Sequence, residues 1–252
     1  MELDTENGRL HMVLYIPESG ASVYPAVFFS HGYGDNNRGG QAYAQALASQ
    51  GYLVVCFDFR GGDSGSQSDG SPLEMTIFTE HQDLEAEIAM LRARSDVNEQ
   101  YIFLLGNSQG GVVSALTAAA YPDWVRAMAL SSPAFSLADD ARKLFGSADE
   151  IPEQYFHLLM NVGRNYFASV YDFDPIDAAK SYPGDVLIFH GDRDTLVPID
   201  YSRRAAESFP NAMLQVLSGE GHMYSGQAVR QTIDSISDFF YTHLGKAAMP
   251  QS

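Results

Sequence analysis

Residues 101–111 read YIFLLGNSQGG, the strongest indication of fold class in the chain. An apolar run leads into a GxSxG string at residues 106–110, and a run of small, mostly apolar residues follows at 112–120. In a strand, tight turn and helix, such a string raises a serine hydroxyl above the end of a sheet, and its glycines leave space where a Cβ atom would collide. The pattern therefore predicts that Ser108 is a nucleophile.

Short apolar runs alternate with segments of helical period on both sides of this stretch. Leu84, Ile88 and Leu91 place one apolar stripe on a helix over residues 74–94, and a second stripe marks a last helix that ends before Gly245. The strand-like runs are residues 12–16, 26–30, 52–58, 101–105, 127–131, 186–190 and 213–217. This alternation predicts an α/β fold with a mostly parallel, doubly wound sheet, helices on both faces and an antiparallel edge formed by the opening strands.

One segment, residues 133–183, loses the strand rhythm and mixes large apolar side chains with acidic ones. Because long structureless loops are uncommon in compact domains, we predict a small helical cap insertion there, with residues 1–132 and 184–252 as the core. Two interpretations of its side chains stay open, namely walls of a binding cleft and a continuation of the core. They are Phe135, Leu144, Phe145, Tyr155, Phe156, Leu158, Leu159, Met160, Tyr166, Phe167, Tyr171 and Phe173.

A serine nucleophile needs a base and a third group that orients the base. Residues 186–198, VLIFHGDRDTLVP, predict a buried strand and a loop that carries Asp192 and Asp194, and spacing alone does not choose between these acids. Of the seven histidines, His222 is the one that follows the acids in a glycine-rich loop after a strand. Serine, acid and histidine in this chain order are typical of α/β-hydrolase triads.

The developing negative charge of such a reaction needs hydrogen-bond donors. After the strand at 26–30 the chain continues His31, Gly32, Tyr33, Gly34. We expect the main-chain N–H groups of Tyr33 and Gln109 to form the oxyanion hole and the His31 side chain to shape the turn.

Composition limits the partners. Fifteen Lys and Arg against 32 Asp and Glu give a net charge of −17, which repels nucleic acid and anionic lipid.

The single cysteine, Cys56, excludes an internal disulfide and a cysteine-type zinc site. We see no export signal or membrane span, which favours a cytoplasmic setting. We expect a small-molecule ester as partner and no metal or organic cofactor, with a homodimer left open.

The motifs resemble those of serine esterases of the α/β-hydrolase superfamily, most closely the bacterial feruloyl (cinnamoyl) esterases. The matching pieces are SHGYGDN at 30–36, FDFRGGDSGS at 57–66, GNSQGG at 106–111, HGDRDTLVP at 190–198 and GEGHMY at 219–224. The resemblance implies Ser108 as nucleophile, Asp194 rather than Asp192 as the acid and His222 as base, with Tyr33 and Gln109 as oxyanion donors. Asn107 departs from the histidine that is common before the serine in this family.

The expected function is two-step hydrolysis, through an acyl-enzyme, of hydroxycinnamoyl esters or other esters with a small aromatic or medium-length acyl group. The pieces HGDRDTLVP and GxGH also occur in monoacylglycerol lipases and prolyl-oligopeptidase-like peptidases. A monoacylglycerol lipase or lysophospholipase and a serine peptidase are therefore the alternatives. A binding module that kept the fold without the chemistry is a more remote alternative.

Overall fold

The computed structural model describes residues 1–63 and 65–245. Ser64, inside the matching piece at 57–66, and residues 246–252, inside the predicted core, lie outside the described residues. Within the described residues, no helix combines the length and apolar character needed to cross a membrane.

Most of the strands join one sheet. In chain order they are β1 (Glu2–Thr5), β2 (Gly8–Tyr15), β3 (Tyr24–Ser30), β4 (Leu53–Asp58), β5 (Val97–Asn107), β6 (Ala127–Ser131), β7 (Gln154–His157), β8 (Met160–Gly163), β9 (Asp185–Gly191) and β10 (Ala212–Leu217). The central sheet has the spatial order β1-β2-β4-β3-β5-β6-β9-β10. Strand β2 runs antiparallel to β1 and β4, and the other neighbours are parallel. The mostly parallel sheet is confirmed. The antiparallel edge is formed by β1 and β2 against β4, whereas the opening strands at 12–16 and 26–30 are not neighbours, because β3 lies inside the sheet between β4 and β5.

Helices connect the strands. They are α1 (Gln41–Ser49), α2 (Ile77–Arg92), α3 (Gln109–Ala120), α4 (Leu137–Leu144), α5 (Arg164–Ala168), α6 (Pro175–Ala179), α7 (Asp200–Ser208) and α8 (Gly226–Thr242). Helix α2 begins after Thr76, whose side chain accepts from the main-chain N–H of Thr79 while the Thr79 hydroxyl accepts from that of Thr76. This reciprocal cap satisfies two donors at the helix start and explains why α2 begins three residues after Glu74.

The core occupies both faces of the sheet because successive side chains of a strand point to opposite sides. Along β4, Leu53, Val55 and Phe57 join a cluster that includes α2 and α3. Val54 and Cys56 join a second cluster that includes α1 and α8. Every residue of β4 is buried, as expected for a strand covered on both sides.

The segment between β6 and β9 holds the short helices α4, α5 and α6 and also an antiparallel hairpin, β7 and β8, which the sequence analysis did not predict. Its two-residue turn is Leu158–Leu159, and Leu158 has a φ of 51°. Such turns ordinarily use Asn, Asp or Gly. The leucine pair at this turn therefore did not indicate a hairpin in the sequence.

The aromatic side chains of this segment differ in their surroundings. Phe145 and Phe167 are buried and contiguous with the core on the α2 and α3 face. Tyr166 belongs to the same cluster and also faces a cavity. Phe156 at the hairpin is 64% exposed.

Parallel strands bring their carboxyl ends to one edge of the sheet, where ligands bind in open α/β folds. Tyr33 follows β3, Ser108 follows β5, Asp194 follows β9 and His222 follows β10. The topology therefore gathers side chains that are far apart in sequence.

Candidate active site

The turn between β5 and α3 holds Ser108 in a strained conformation, with φ 51° and ψ −117°. Its N–H donates to the Ser131 carbonyl at 2.8 Å. A Cβ atom on Gly106 would lie 2.5 Å from the Gly110 carbonyl oxygen, and one on Gly110 would collide with the carbonyl oxygen of Ser30. The strand, turn and helix therefore pack this tightly only with glycine at both positions.

Three predicted side chains meet at this turn. The Ser108 hydroxyl lies 2.9 Å from His222 Nε2, and His222 Nδ1 lies 2.7 Å from Asp194 Oδ2. A carboxylate can only accept, so Nδ1 carries the proton and Nε2 is free to accept from the serine. This tautomer can remove a proton from the hydroxyl, with the resulting imidazolium facing a carboxylate.

Asp194 is surrounded by donors. The main-chain N–H groups of Leu196 and Val197 donate to Oδ1, each at 2.9 Å. His190 Nε2 lies 3.2 Å from Oδ2, and both side chains are fully buried. Burial alone would raise the carboxyl pKa, but the donors of His190, His222 and Val197 hold the pKa of Asp194 well below its usual range.

Asp192, the other acid of this loop, has a different position. Its Oδ1 accepts from the main-chain N–H of Gly219 at 2.7 Å, at the start of the loop that carries His222. The far end of that loop is anchored by Tyr224, whose hydroxyl lies 2.9 Å from that of Ser132. The His222 loop is thus tied to the sheet on both sides of the imidazole.

The loop after β3 passes directly beside Ser108, because a Cβ atom on Gly32 would lie 3.2 Å from Ser108 Cβ. His31 is buried, and both of its ring nitrogens form hydrogen bonds with main-chain groups. Its Nε2 accepts from the Phe59 N–H at 3.0 Å, so its Nδ1 donates to the Gly32 carbonyl at 2.9 Å. Burial lowers the pKa of His31, which favours this neutral, loop-shaping form.

An apolar cavity of about 260 Å³ is lined by Ser108, Tyr33 and Gln109. Its walls include Leu137, Leu144, Leu158, Tyr166, Leu196 and Val197. The Asp140 carboxylate is the acidic group of the lining, and it accepts from the Ser136 hydroxyl at 2.6 Å and from Lys143 at 3.2 Å. The N–H of Gln109, the first residue of α3, has no acceptor within its helix and adjoins the cavity.

The β7 and β8 hairpin covers the loop that carries Tyr33. The Tyr33 hydroxyl donates to the His157 carbonyl at 2.9 Å, and the two rings are 5.3 Å apart. Leu159 packs over Gly34, where an added Cβ would lie 2.8 Å from Leu159 Cδ1. The inserted segment therefore contacts the predicted oxyanion loop directly.

A buried hydrogen-bond network behind the serine was not predicted from the sequence. The Gln109 amide Nε2 donates to Glu80 Oε1 and Oε2 at 2.9 and 2.8 Å. The Tyr166 hydroxyl donates to Gln109 Oε1 at 2.7 Å. Glu80 lies four residues before Leu84, on the apolar stripe of α2, so the helical period itself carried a signal for its burial.

Two further acids of α2, Asp83 and Glu87, are buried with Glu80. Burial, opposed by the hydrogen bond from Gln109 and reinforced by the charge of Asp83, raises the pKa of Glu80 to about 8. Burial raises the pKa of Asp83 to about 6 against its hydrogen bonds from Arg60. Both carboxyl oxygens of Glu87 are buried without a hydrogen-bond partner among residues 1–63 and 65–245, and burial raises its pKa as well.

We expect Glu80→Gln to flatten the pH dependence of stability. In the wild type, folded Glu80 holds its proton between its ordinary pKa and about 8 whereas the unfolded chain releases it, so the free energy of unfolding falls as pH rises through this window. The loss amounts to up to about 5 kcal/mol for this group. Urea denaturation of both proteins between pH 5 and 9 measures the difference, and parallel curves would contradict the assignment.

Among residues 1–63 and 65–245, no group of three or more His, Cys, Asp or Glu side chains is arranged to hold a metal ion.

Comparison with known proteins places these observations in context. The model of a protein family described as Serine aminopeptidase, S33, matches residues 21–172, more than half of the chain. A monoacylglycerol lipase of Mycolicibacterium smegmatis is 24% identical over 253 residues, covering 86% of this chain and 88% of that protein. The uncharacterized protein YfhR of Escherichia coli O157:H7 is 26% identical over 227 residues, covering 87% and 72%.

A solved structure described as ferulic acid bound to Est1E from Butyrivibrio proteoclasticus is similar along nearly the whole chain. The TM-score is 0.88 at 24% identity, with 96% of this chain and 98% of that chain covered. At this identity the likeness bears on the fold alone, which the two chains share.

Proposed function

The chain belongs to the hydrolase family described as Serine aminopeptidase, S33, with an α/β-hydrolase fold, and from this premise we propose that it is a serine carboxylic ester hydrolase. One observation carries the proposal. A single imidazole, His222, bridges the Ser108 hydroxyl and the Asp194 carboxylate at the opening of an apolar cavity. Nucleophile, base and orienting acid within hydrogen-bond distance are what acyl transfer by serine requires.

In the first step, Ser108 attacks the ester carbonyl while His222 Nε2 takes its proton. Asp194 holds the imidazole by Nδ1 and stabilises its charged form. The imidazolium then gives the proton to the leaving alcohol, and an acyl-enzyme remains on Ser108. In the second step, a water molecule loses its proton to the same imidazole, attacks the acyl carbon and releases the acid.

The tetrahedral intermediates carry a negative oxygen, for which we propose the main-chain N–H groups of Tyr33 and Gln109 as donors. Support comes from position, because Tyr33, Ser108 and Gln109 line the same cavity. The close approach of Gly32 to Ser108 keeps the two donor loops side by side. Main-chain donors held in this way stabilise the charge without reorganising during the reaction.

We propose that residues 133–183 act as a cap whose inner side forms the acyl pocket. Leu137, Leu158 and Tyr166 of this segment line the cavity. A cavity of about 260 Å³ is suited to a small aromatic or medium-length acyl group. The ferulic acid named for the Est1E structure makes hydroxycinnamoyl esters the substrate class we favour.

A monoacylglycerol lipase is the second candidate. Leu144, Leu158 and Leu196 line the cavity and remain 43%, 52% and 46% exposed, an arrangement that suits an aliphatic chain leaving the pocket. The relative from M. smegmatis with that function supports the same alternative.

A substrate panel tests these proposals. We expect methyl ferulate to be hydrolysed with a higher kcat/KM than a monoacylglycerol or an aminoacyl amide at equal concentration. Leu137→Trp narrows the pocket, and we expect it to lower kcat/KM for methyl ferulate about tenfold while p-nitrophenyl acetate changes by less than about threefold. Initial rates by absorbance and product chromatography measure both effects.

The matched control is Ile16→Trp, which places the same side chain at an exposed position outside the cavity. A higher kcat/KM for the aminoacyl amide would indicate a peptidase, and a higher kcat/KM for the monoacylglycerol would favour the lipase. Equal losses for methyl ferulate and p-nitrophenyl acetate in Leu137→Trp would contradict the assignment of this cavity to the acyl group.

A further inference from the structure

The backbone at Ser108 adopts a conformation that is unfavourable for any residue with a side chain. A non-glycine residue at φ 51° and ψ −117° is strained, and such a conformation persists only where its surroundings enforce it. The ψ angle of Ser108 also sets the direction of the next N–H, which belongs to Gln109. Groups that fix the position of Gln109 therefore also set the direction of its main-chain N–H, which is a proposed oxyanion donor.

Main-chain hydrogen bonds to β6, to α3 and to the chain just after β6 hold Ser108. Its N–H donates to the Ser131 carbonyl at 2.8 Å, and its carbonyl accepts from the N–H groups of Gly111 and Ala134, each at 3.0 Å. On the helix side, the Gln109 side chain is held at both ends of its amide, by Glu80 and Tyr166. Glu80 and Gln109 are each 1% exposed and Tyr166 is 3% exposed.

The three residues come from separate parts of the fold. Glu80 lies on α2 of the core, Gln109 begins α3, and Tyr166 lies on α5 of the inserted segment. Loss of the Glu80 carboxyl group would leave the Gln109 amide donor buried, and within the described part of the chain its remaining contact is Met75 Sδ, at 4.0 Å. An unpaired buried amide is costly, so the side chain would turn to seek another acceptor. The first turn of α3 would then lose an anchor.

We propose that Glu80 is a positioning residue for the hydrolysis, acting through the Gln109 side chain to hold the Ser108–Gln109 peptide and its N–H in the direction of the oxyanion. The inference rests on the proposed function. Glu80 touches neither the serine hydroxyl nor the imidazole, and its effect passes through one amide group. Because an oxyanion donor acts mainly in the transition state, the consequence lies in kcat rather than in KM.

The test compares Glu80→Met with Glu80→Gln. Methionine removes the acceptor, and we expect kcat to fall about tenfold or more with KM within about twofold of the wild type. Glutamine keeps one oxygen for the Gln109 amide, and we expect kcat within about threefold of the wild type. Rates are expressed per active site, titrated to the end point with a fluorophosphonate, so that misfolded protein does not count.

A double-mutant cycle separates positioning from folding. Gln109→Ala removes the amide but keeps the main-chain N–H, and in that background Glu80→Met should change kcat by less than about twofold. The matched control is Glu87→Met, a substitution of an equally buried acid on the same helix that has no hydrogen-bond partner, for which we expect wild-type kcat per titrated site. Should Glu80→Met not fold, Tyr166→Phe removes one hydroxyl of the same network and should also lower kcat at constant KM.

Wild-type kcat per site in Glu80→Met, an equal loss in the Gln109→Ala background, or an equal loss in Glu87→Met would each overturn the inference while leaving the esterase proposal intact. A wild-type protein without turnover of any ester in the panel would overturn both.

Discussion

Replacing Ser108 with alanine is expected to lower kcat for every ester in the panel by about 10⁴-fold or more. Without the hydroxyl no acyl-enzyme forms, and the remaining donors can only assist attack by water. The same variant should take up no fluorophosphonate, because the bond to the probe forms at the serine oxygen. Rate measurements with a sensitive fluorogenic ester, together with mass spectrometry of the probe-treated protein, give the result.

Ser108 is mostly buried, and its main-chain hydrogen bonds do not depend on the hydroxyl. We therefore expect the thermal unfolding midpoint of Ser108→Ala to stay within a few degrees of the wild type. A folded variant that keeps wild-type turnover would exclude Ser108 as the nucleophile. A wild-type protein that resists the fluorophosphonate would favour the binding module.

Asp194→Asn is expected to lower kcat by about 10³ to 10⁴-fold. The N–H groups of Leu196 and Val197 both donate to Oδ1, so the new amide must keep its oxygen there and turn its NH₂ toward His222. His222 Nδ1 then becomes an acceptor and the ring proton moves to Nε2. In this tautomer the imidazole donates to Ser108 and cannot take its proton.

The neighbouring acid provides the comparison. Asp192→Asn keeps an oxygen that can accept from the Gly219 N–H, and we expect kcat within about threefold of the wild type. Rates at a fixed pH, corrected by active-site titration, separate the two acids. A larger loss in Asp192→Asn than in Asp194→Asn would reverse the choice made from the resemblance.

Much of the fold and of the candidate site could be predicted from local sequence. The GxSxG string and its flanking apolar runs predicted the strand, turn and helix around Ser108, and the order of loops predicted His222 as its neighbour. Spacing did not choose between Asp192 and Asp194, because both follow β9 in one loop and only the wrapping of the loop around Oδ1 directs Asp194 to the imidazole. The resemblance to esterases supplied that choice.

The hydrogen-bond network around Gln109 could not be predicted from composition. Buried acids are rare, so an acidic side chain on a helix is ordinarily assigned to the surface. Glu80 and Glu87 nevertheless lie at helical spacing from Leu84 and Leu91 and share their buried face. The partner that makes such burial tolerable for Glu80, the Gln109 amide, is 29 residues away and visible only in three dimensions.

The hydrogen bond from the Tyr33 hydroxyl to the His157 carbonyl bears on attempts to redesign selectivity. Grafting residues 133–183 from a relative would exchange the pocket walls in one step, yet it would also remove the hairpin that rests on Tyr33 and Gly34. A chimera would therefore carry new walls at the proposed acyl pocket together with an unanchored loop at Tyr33, the proposed oxyanion donor. For such a chimera to hydrolyse its new substrate, the grafted hairpin must supply a carbonyl that accepts from the Tyr33 hydroxyl. Otherwise residue 33 must be changed to match the graft.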